Sequence, residues 1–93
     1  MSTADIVRIY SENKRVYARV GKETYEIRDR LYALEEQLKE RDFVRISNSE
    51  FVNLSQIEKL DMGYTGTIKI YLKNDDETYA SRRYVSAIKT VLK

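Results

Sequence analysis

The stretch Phe43-Val44-Arg45-Ile46-Ser47-Asn48-Ser49-Glu50-Phe51-Val52-Asn53-Leu54 sets polar side chains among apolar anchors, and its reading decides the fold of the chain. Phe43, Ile46, Phe51, Val52 and Leu54 are the anchors, and Arg45, Ser47, Asn48 and Ser49 are the polar set held between them. Serine hydroxyls and backbone N–H groups suit phosphate oxygens, whereas an asparagine amide can bond an adenine edge with two hydrogen bonds. An ordinary polar loop with a capping serine would use the same residues. The chemistry of the segment alone leaves both readings open.

Outward from it, the spacing of apolar residues predicts strands and two helices. Residues 6–10 and 15–20 alternate in type, with Val16, Ala18 and Val20 on one face and Arg15, Tyr17 and Arg19 on the other. Gly21-Lys22 is a turn signal, and residues 24–27 return as a hairpin partner. Leu31, Leu34 and Leu38 then change the spacing to between three and four, which predicts a helix over about 30–40 with Asp29 as its N-cap. Residues 43–46, Val52 and residues 57–60 read as short strands, and Gly63 and Gly66 bracket a turn. Residues 67–73 form the clearest strand, Ile68, Ile70 and Leu72 alternating with Lys69, Tyr71 and Lys73. Asn74-Asp75-Asp76 turns the chain back into residues 78–81. Ser81 can cap a final helix whose stripe is Val85, Ile88 and Val91 or Leu92, with Lys89 and Lys93 outward. The expected class is mostly β (α+β minor), with about seven short antiparallel strands and two short helices.

Composition narrows the function. Ninety-three residues allow one domain with one modest core. With no cysteine there is no disulfide framework and no thiolate nucleophile, and with no histidine the usual general base and commonest transition-metal ligand are missing. The carboxylate pairs Glu35/Glu36 and Asp75/Asp76 fall on a helix surface and a turn, where solvation explains them. The three glycines are not placed for a phosphate-binding loop. The chain is therefore read as no enzyme, with no cofactor and no metal. No apolar run approaches the ~20 residues of a membrane span, and the start lacks a secretory pattern, so the expected location is cytoplasmic.

Net charge is only +2, but it is unevenly spread. No acid follows Glu77, whereas Arg82, Arg83, Lys89 and Lys93 do; Lys14, Arg15 and Arg19 form a second basic group, and Glu35, Glu36, Glu40 and Asp42 an acidic patch. The eight tyrosines could be base-stacking platforms. Tyr17, Tyr25, Tyr71 and Tyr79 lie at strand positions, however, where a ring commonly buries one face and keeps its hydroxyl wet.

The run F-V-R-I-S-N-S-E-F-V-N-L-S-Q-I resembles the signature of the LytTR DNA-binding domain, in which an apolar pair and Asn follow a polar and serine-containing block. Upstream, I-V-R-I-Y-S-E-N-K-R-V-Y-A-R-V-G-K-E-T-Y-E-I resembles that family's strands and hairpin, and L-Y-A-L-E-E-Q-L its helix. Downstream, T-Y-A-S-R-R-Y-V-S-A-I-K resembles its closing strand and the basic residues after it. The match spans residues 5–93. Family members usually carry another pair of strands before the position of Ile6; the chain therefore reads as a trimmed piece, with residues 1–4 partly a cloning remnant, or as a shorter natural version.

The resemblance implies short strands in small stacked sheets, with loops entering successive major grooves of double-stranded DNA. Carried over by position, Lys14, Asn48 and Arg83 are the candidates for base contacts, and Lys14 stands where a family member can carry a histidine. Arg15, Arg45, Ser47, Ser49, Ser81 and Arg82 are candidates for phosphate contacts or for orienting those side chains. Their plainer reading is solvent-facing charge and a helix cap. The resemblance further implies a bacterial transcriptional regulator on repeated half-sites, as a homodimer. R-I-S-N-S and S-R-R-Y-V look closest to stand-alone regulators restrained by a small membrane protein. Two rivals are a protein-interaction module using the acidic helix face at Glu35, Glu36 and Glu40, and an RNA-binding domain using the tyrosines.

Overall fold

Strands form where apolar residues alternate, and helices where the spacing lengthens. A computed structural model describes residues 3–62 and 66–91. In chain order it contains β1 (Ile6–Glu12), β2 (Arg15–Val20), β3 (Glu23–Ile27), α1 (Leu31–Lys39), β4 (Phe43–Ser47), β5 (Glu50–Asn53), β6 (Ile57–Met62), β7 (Ile68–Leu72), β8 (Glu77–Ala80) and α2 (Val85–Val91). Short 3-10 turns occupy Thr3–Asp5, Leu54–Gln56 and Arg82–Tyr84. The strands make two antiparallel sheets, one of five in the order β3-β2-β1-β5-β4 and one of three in the order β6-β7-β8. The expected mostly-β class is the observed one.

The five-stranded sheet is covered on both faces. On one, Ile6, Ile9, Val16, Ala18, Phe43 and Phe51 pack with Leu31 and Leu38 of α1. On the other, Val7, Val44, Ile46 and Val52 pack with Ile68, Ile70, Leu72 and Ala80 of the smaller sheet and with Ile88 of α2. A break of register in β1 between Ile6 and Arg8 resets the alternation, so that Ile6 and Ile9, three residues apart, enter the same core while Val7 between them enters the other. A second break, in β4 between Arg45 and Ser47, surrounds Ile46, which is fully buried.

Polar groups lock the layers. Asn53 is buried; its amide donates to the carbonyl of Ile6 at 2.9 Å, and its Oδ1 accepts from the N–H and hydroxyl of Ser55 at 3.0 and 2.8 Å. Arg8 pairs with Glu50 at 3.0 Å and with Asp76 at 3.4 Å, and Arg19 reaches Asp76 at 2.9 Å, so a charge network joins β1, β2 and β5 to the β7–β8 turn. Burial pushes the Glu50 carboxyl above its usual range against the opposing pull of Arg8 and Thr78. Burial also acts to raise Asp76, but hydrogen bonds from Arg19 and Asn74 and the nearby Arg8 outweigh it and hold the carboxyl below its usual range.

Several local expectations are corrected. Asp29 does not cap α1: it lies in a bend one residue early, and the N-cap is Arg30, without a side-chain cap hydrogen bond. Ser81 precedes the 3-10 turn at Arg82–Tyr84 rather than α2 itself, and its carbonyl, not its hydroxyl, accepts the N–H of Tyr84 at 2.9 Å. Eight strands are present among the described residues where about seven were expected, because the position read at Val52 extends into β5. Tyr17 and Tyr71 are half-buried as expected, but Tyr25 and Tyr79 are 46% and 60% exposed: both stand on edge strands, Tyr79 on the face away from the core and Tyr25 opposite Ala18 at the uncovered margin of the sheet. Gly63, Leu92 and Lys93 lie outside the described residues.

Candidate nucleic-acid interface

Three segments meet at one end of the five-stranded sheet. The β1–β2 turn carries Lys14, with Arg15 opening β2; the β4–β5 turn carries Asn48 and Ser49; and the turn after β8 carries Arg82 and Arg83. β1 and β5 pair with Tyr10 opposite Glu50, which brings the end of one strand beside the start of the other. Backbone bonds finish the assembly: Ser11 N–H donates to Ser49 O at 2.8 Å, and Ser81 N–H to Ile46 O at 2.8 Å.

Each segment has a local cause. Asn13 and Lys14 both have positive φ, at 51° and 66°, the backbone of a two-residue hairpin turn whose twist matches the strands. Asparagine tolerates this region and lysine does so only at a cost. In the β4–β5 turn, Ser47 Oγ accepts the N–H of Ser49 at 3.2 Å, and the two hydroxyls stand 3.4 Å apart. Arg45 lies behind the turn. Its guanidinium donates to the carbonyls of Ser47 at 3.1 Å and Asn48 at 2.7 Å and to Glu35 Oε1 at 2.9 Å, and it lies over the rings of Phe51 and Tyr84 at 5.3 and 5.9 Å.

Tyr84 joins the second and third segments. Its hydroxyl donates to Asn48 Oδ1 at 2.9 Å, and Arg83 stacks over its ring at 5.7 Å. The contact turns the Asn48 amide so that Nδ2 and one Oδ1 lone pair remain for another partner. Sequence reasoning missed Tyr84, although it stands in the S-R-R-Y-V block; a tyrosine next to an apolar stripe reads as packing, and nothing local ties it to a residue 36 positions away.

The predicted site residues thus fall into two groups by exposure. Lys14, Arg15, Asn48, Ser49, Ser81, Arg82 and Arg83 are exposed, while Arg45 and Ser47 are half-buried beneath them. Among the described residues no carboxylate pairs with Lys14, Arg82 or Arg83, and Arg15 has only a loose partner, Glu26 at 3.5 Å. Arg19, grouped by sequence with Lys14 and Arg15, is instead held in the charge network by Asp76. Of the acidic helix face, Glu35 is paired with Arg45, and Glu36 and Glu40 are exposed. No group of histidine, cysteine or carboxylate side chains among the described residues could hold a metal ion, and no described helix is long and apolar enough to cross a membrane.

A β-rich domain with cationic loops gathered at one end of a covered sheet has the form of a DNA-binding domain, and comparison with known proteins agrees. The LytTr DNA-binding domain family matches residues 1–93, and the chain belongs to that family. In overall fold it is similar to a LytTr DNA-binding domain from Bacillus cereus, with a TM-score of 0.91 at 20% identity over 99% of this chain and 84% of that one. It is 42% identical over 89 residues, 96% of its length, to an uncharacterized HTH-type transcriptional regulator of Staphylococcus aureus strain NCTC 8325, of which it covers 60%. A counterpart in the bovine strain RF122 is 43% identical over 86 residues, covering 92% of this chain and 58% of that protein. The chain thus spans about three fifths of the length of these relatives. Their name denotes a helix-turn-helix class, yet here α1 and α2 are separated by five strands.

Proposed function

We propose that this domain reads double-stranded DNA in a sequence-specific way, with Lys14, Asn48 and Arg83 contacting base edges in the major groove. The observation that carries the reading is the meeting of three segments at one sheet end, with an asparagine amide oriented by Tyr84 beside unpaired cations. A guanidinium fork on guanine O6 and N7 is the commonest specific contact and suits Arg83; an amide on an adenine edge suits Asn48; an ammonium on guanine suits Lys14. Arg15, Ser49, Ser81 and Arg82, exposed around them, are assigned to phosphates. Arg45 and Ser47 orient the β4–β5 turn, since their polar groups are already engaged with its backbone.

The whole protein is proposed to be a cytoplasmic transcriptional regulator acting as two copies on repeated half-sites. The resemblance to stand-alone regulators supports restraint by a small membrane protein. A fluorescence-anisotropy titration against duplex fragments at two salt concentrations, with single-stranded RNA as competitor, tests the reading. Duplex binding that weakens with salt and resists RNA competition is expected; no duplex binding at low salt, or displacement by RNA, overturns it.

A further inference from the structure

We infer that a separate phosphate site lies beside the β1–β2 turn, in the shallow cleft between Lys14 and Arg15 and the β3–α1 link, and that Arg28 and Arg30 there grip a backbone phosphodiester flanking the bases that are read. The inference rests on the DNA-binding reading and extends its footprint to an element that reading does not use.

The cleft is formed where β2 begins and β3 ends. Val16 pairs with Ile27, so the chain leaving β3 emerges next to Arg15 and Lys14. The link that follows is Arg28-Asp29-Arg30, all exposed. Four cations line the cleft, Lys14, Arg15, Arg28 and Arg30, against two carboxylates, Glu26 and Asp29. Glu26 lies 3.5 Å from Arg15, whereas among the described residues no hydrogen bond or ion pair engages the side chain of Arg28 or Arg30. Their guanidinium groups are therefore not engaged within the fold, and together with Lys14 and Arg15 they leave the cleft with an excess of positive charge that an anion would neutralise. A guanidinium matches the oxygens of a phosphodiester by bidentate hydrogen bonding. DNA is the source of that anion because the cleft is open and shares its rim, Lys14 and Arg15, with the loop surface already described.

The test is the salt dependence of duplex binding by the intact chain and by Arg28→Ala, Arg30→Ala, the double variant, and Lys22→Ala as control. Lys22 lies in the β2–β3 turn, at the opposite end of the same strands. Each lost phosphate contact lowers the slope of log K against log salt by about 0.9. The expected result is a fall of about that size for the double variant and a smaller fall for each arginine alone, equal on selected and random duplexes, with base preference unchanged and Lys22→Ala like the parent. Arg30 is the N-cap of α1 and Arg28 is not, so a fall confined to Arg30→Ala and accompanied by a lower melting temperature would reassign the effect to the helix and overturn the site. An unchanged slope in the double variant, or an equal fall for Lys22→Ala, overturns it as well. Failure of the parent chain to bind any duplex would instead sink the DNA reading itself.

Discussion

Lys14 pays a conformational cost where it stands. A lysine at φ 66° occupies the left-handed region, which is unfavourable by about 1 kcal/mol for a residue with a Cβ. Glycine would relieve that cost, so Lys14→Gly is predicted to hold or raise the melting temperature while weakening DNA binding. Thermal unfolding and anisotropy on the same preparation check it, and a variant that is both more stable and binds as well would remove Lys14 from the interface. Tyr84 gives a second prediction. Tyr84→Phe deletes only the hydroxyl that orients Asn48, and should cost about 0.5–1.5 kcal/mol on the selected site, the range of one net hydrogen bond. The loss should fall at a single base position and leave the salt slope unchanged, because no phosphate contact is removed. A uniform loss across sequences would make Tyr84 a packing residue only.

At the scale of elements, the parts legible in the sequence were those with local periodicity. β1, β2, β7 and α1 follow from alternation or from leucines three and four apart, and the Asn74-Asp75-Asp76 turn from its residue types. What escaped was set by distant partners. Arg8 and Asp76 are 68 positions apart, and nothing local marks Arg19 as a member of their network rather than of a basic surface with Lys14 and Arg15. The caps failed for a local reason: Asp29 and Ser81 have the chemistry of N-caps, but a bend at Arg28 and Asp29 and a 3-10 turn at Arg82–Tyr84 put the helix starts past them. Of the candidate site, the exposed cations and Asn48 could be nominated from the sequence, whereas the inward role of Arg45 and the existence of the Tyr84 link depend on how β4 and the turn after β8 pack.

For the whole molecule, the charge network between the sheets makes stability depend on pH. Asp76 is held below its usual value, so its contribution is full above the ordinary aspartate pKa of about 3.9 and is lost as pH falls through the depressed folded value. Glu50 is shifted the other way, so protonation favours its folded state at low pH and partly offsets that loss. Asp76→Asn is predicted to cost about 2 kcal/mol at neutral pH, the scale of charge-assisted hydrogen bonds at a mostly buried carboxylate, and the gap to the parent should close below about pH 4. Denaturant unfolding at neutral and acid pH reads this, and a gap that stays constant with pH would contradict the assignment. Because the network bridges the two sheets near the β7–β8 turn and β5, it also fixes how the segment after β8 sits against the β4–β5 turn.

The central claim is that side chains on these three segments read base edges, and selection of duplexes from a random library by the parent chain and by Arg83→Ala tests it most directly. The predicted result is a repeated half-site motif for the parent and, for the variant, the same motif with one position per half-site relaxed, at a cost of about 1–3 kcal/mol on the parent's site. An Arg83→Ala motif identical to the parent's, with affinity lowered equally on all sequences, would contradict it.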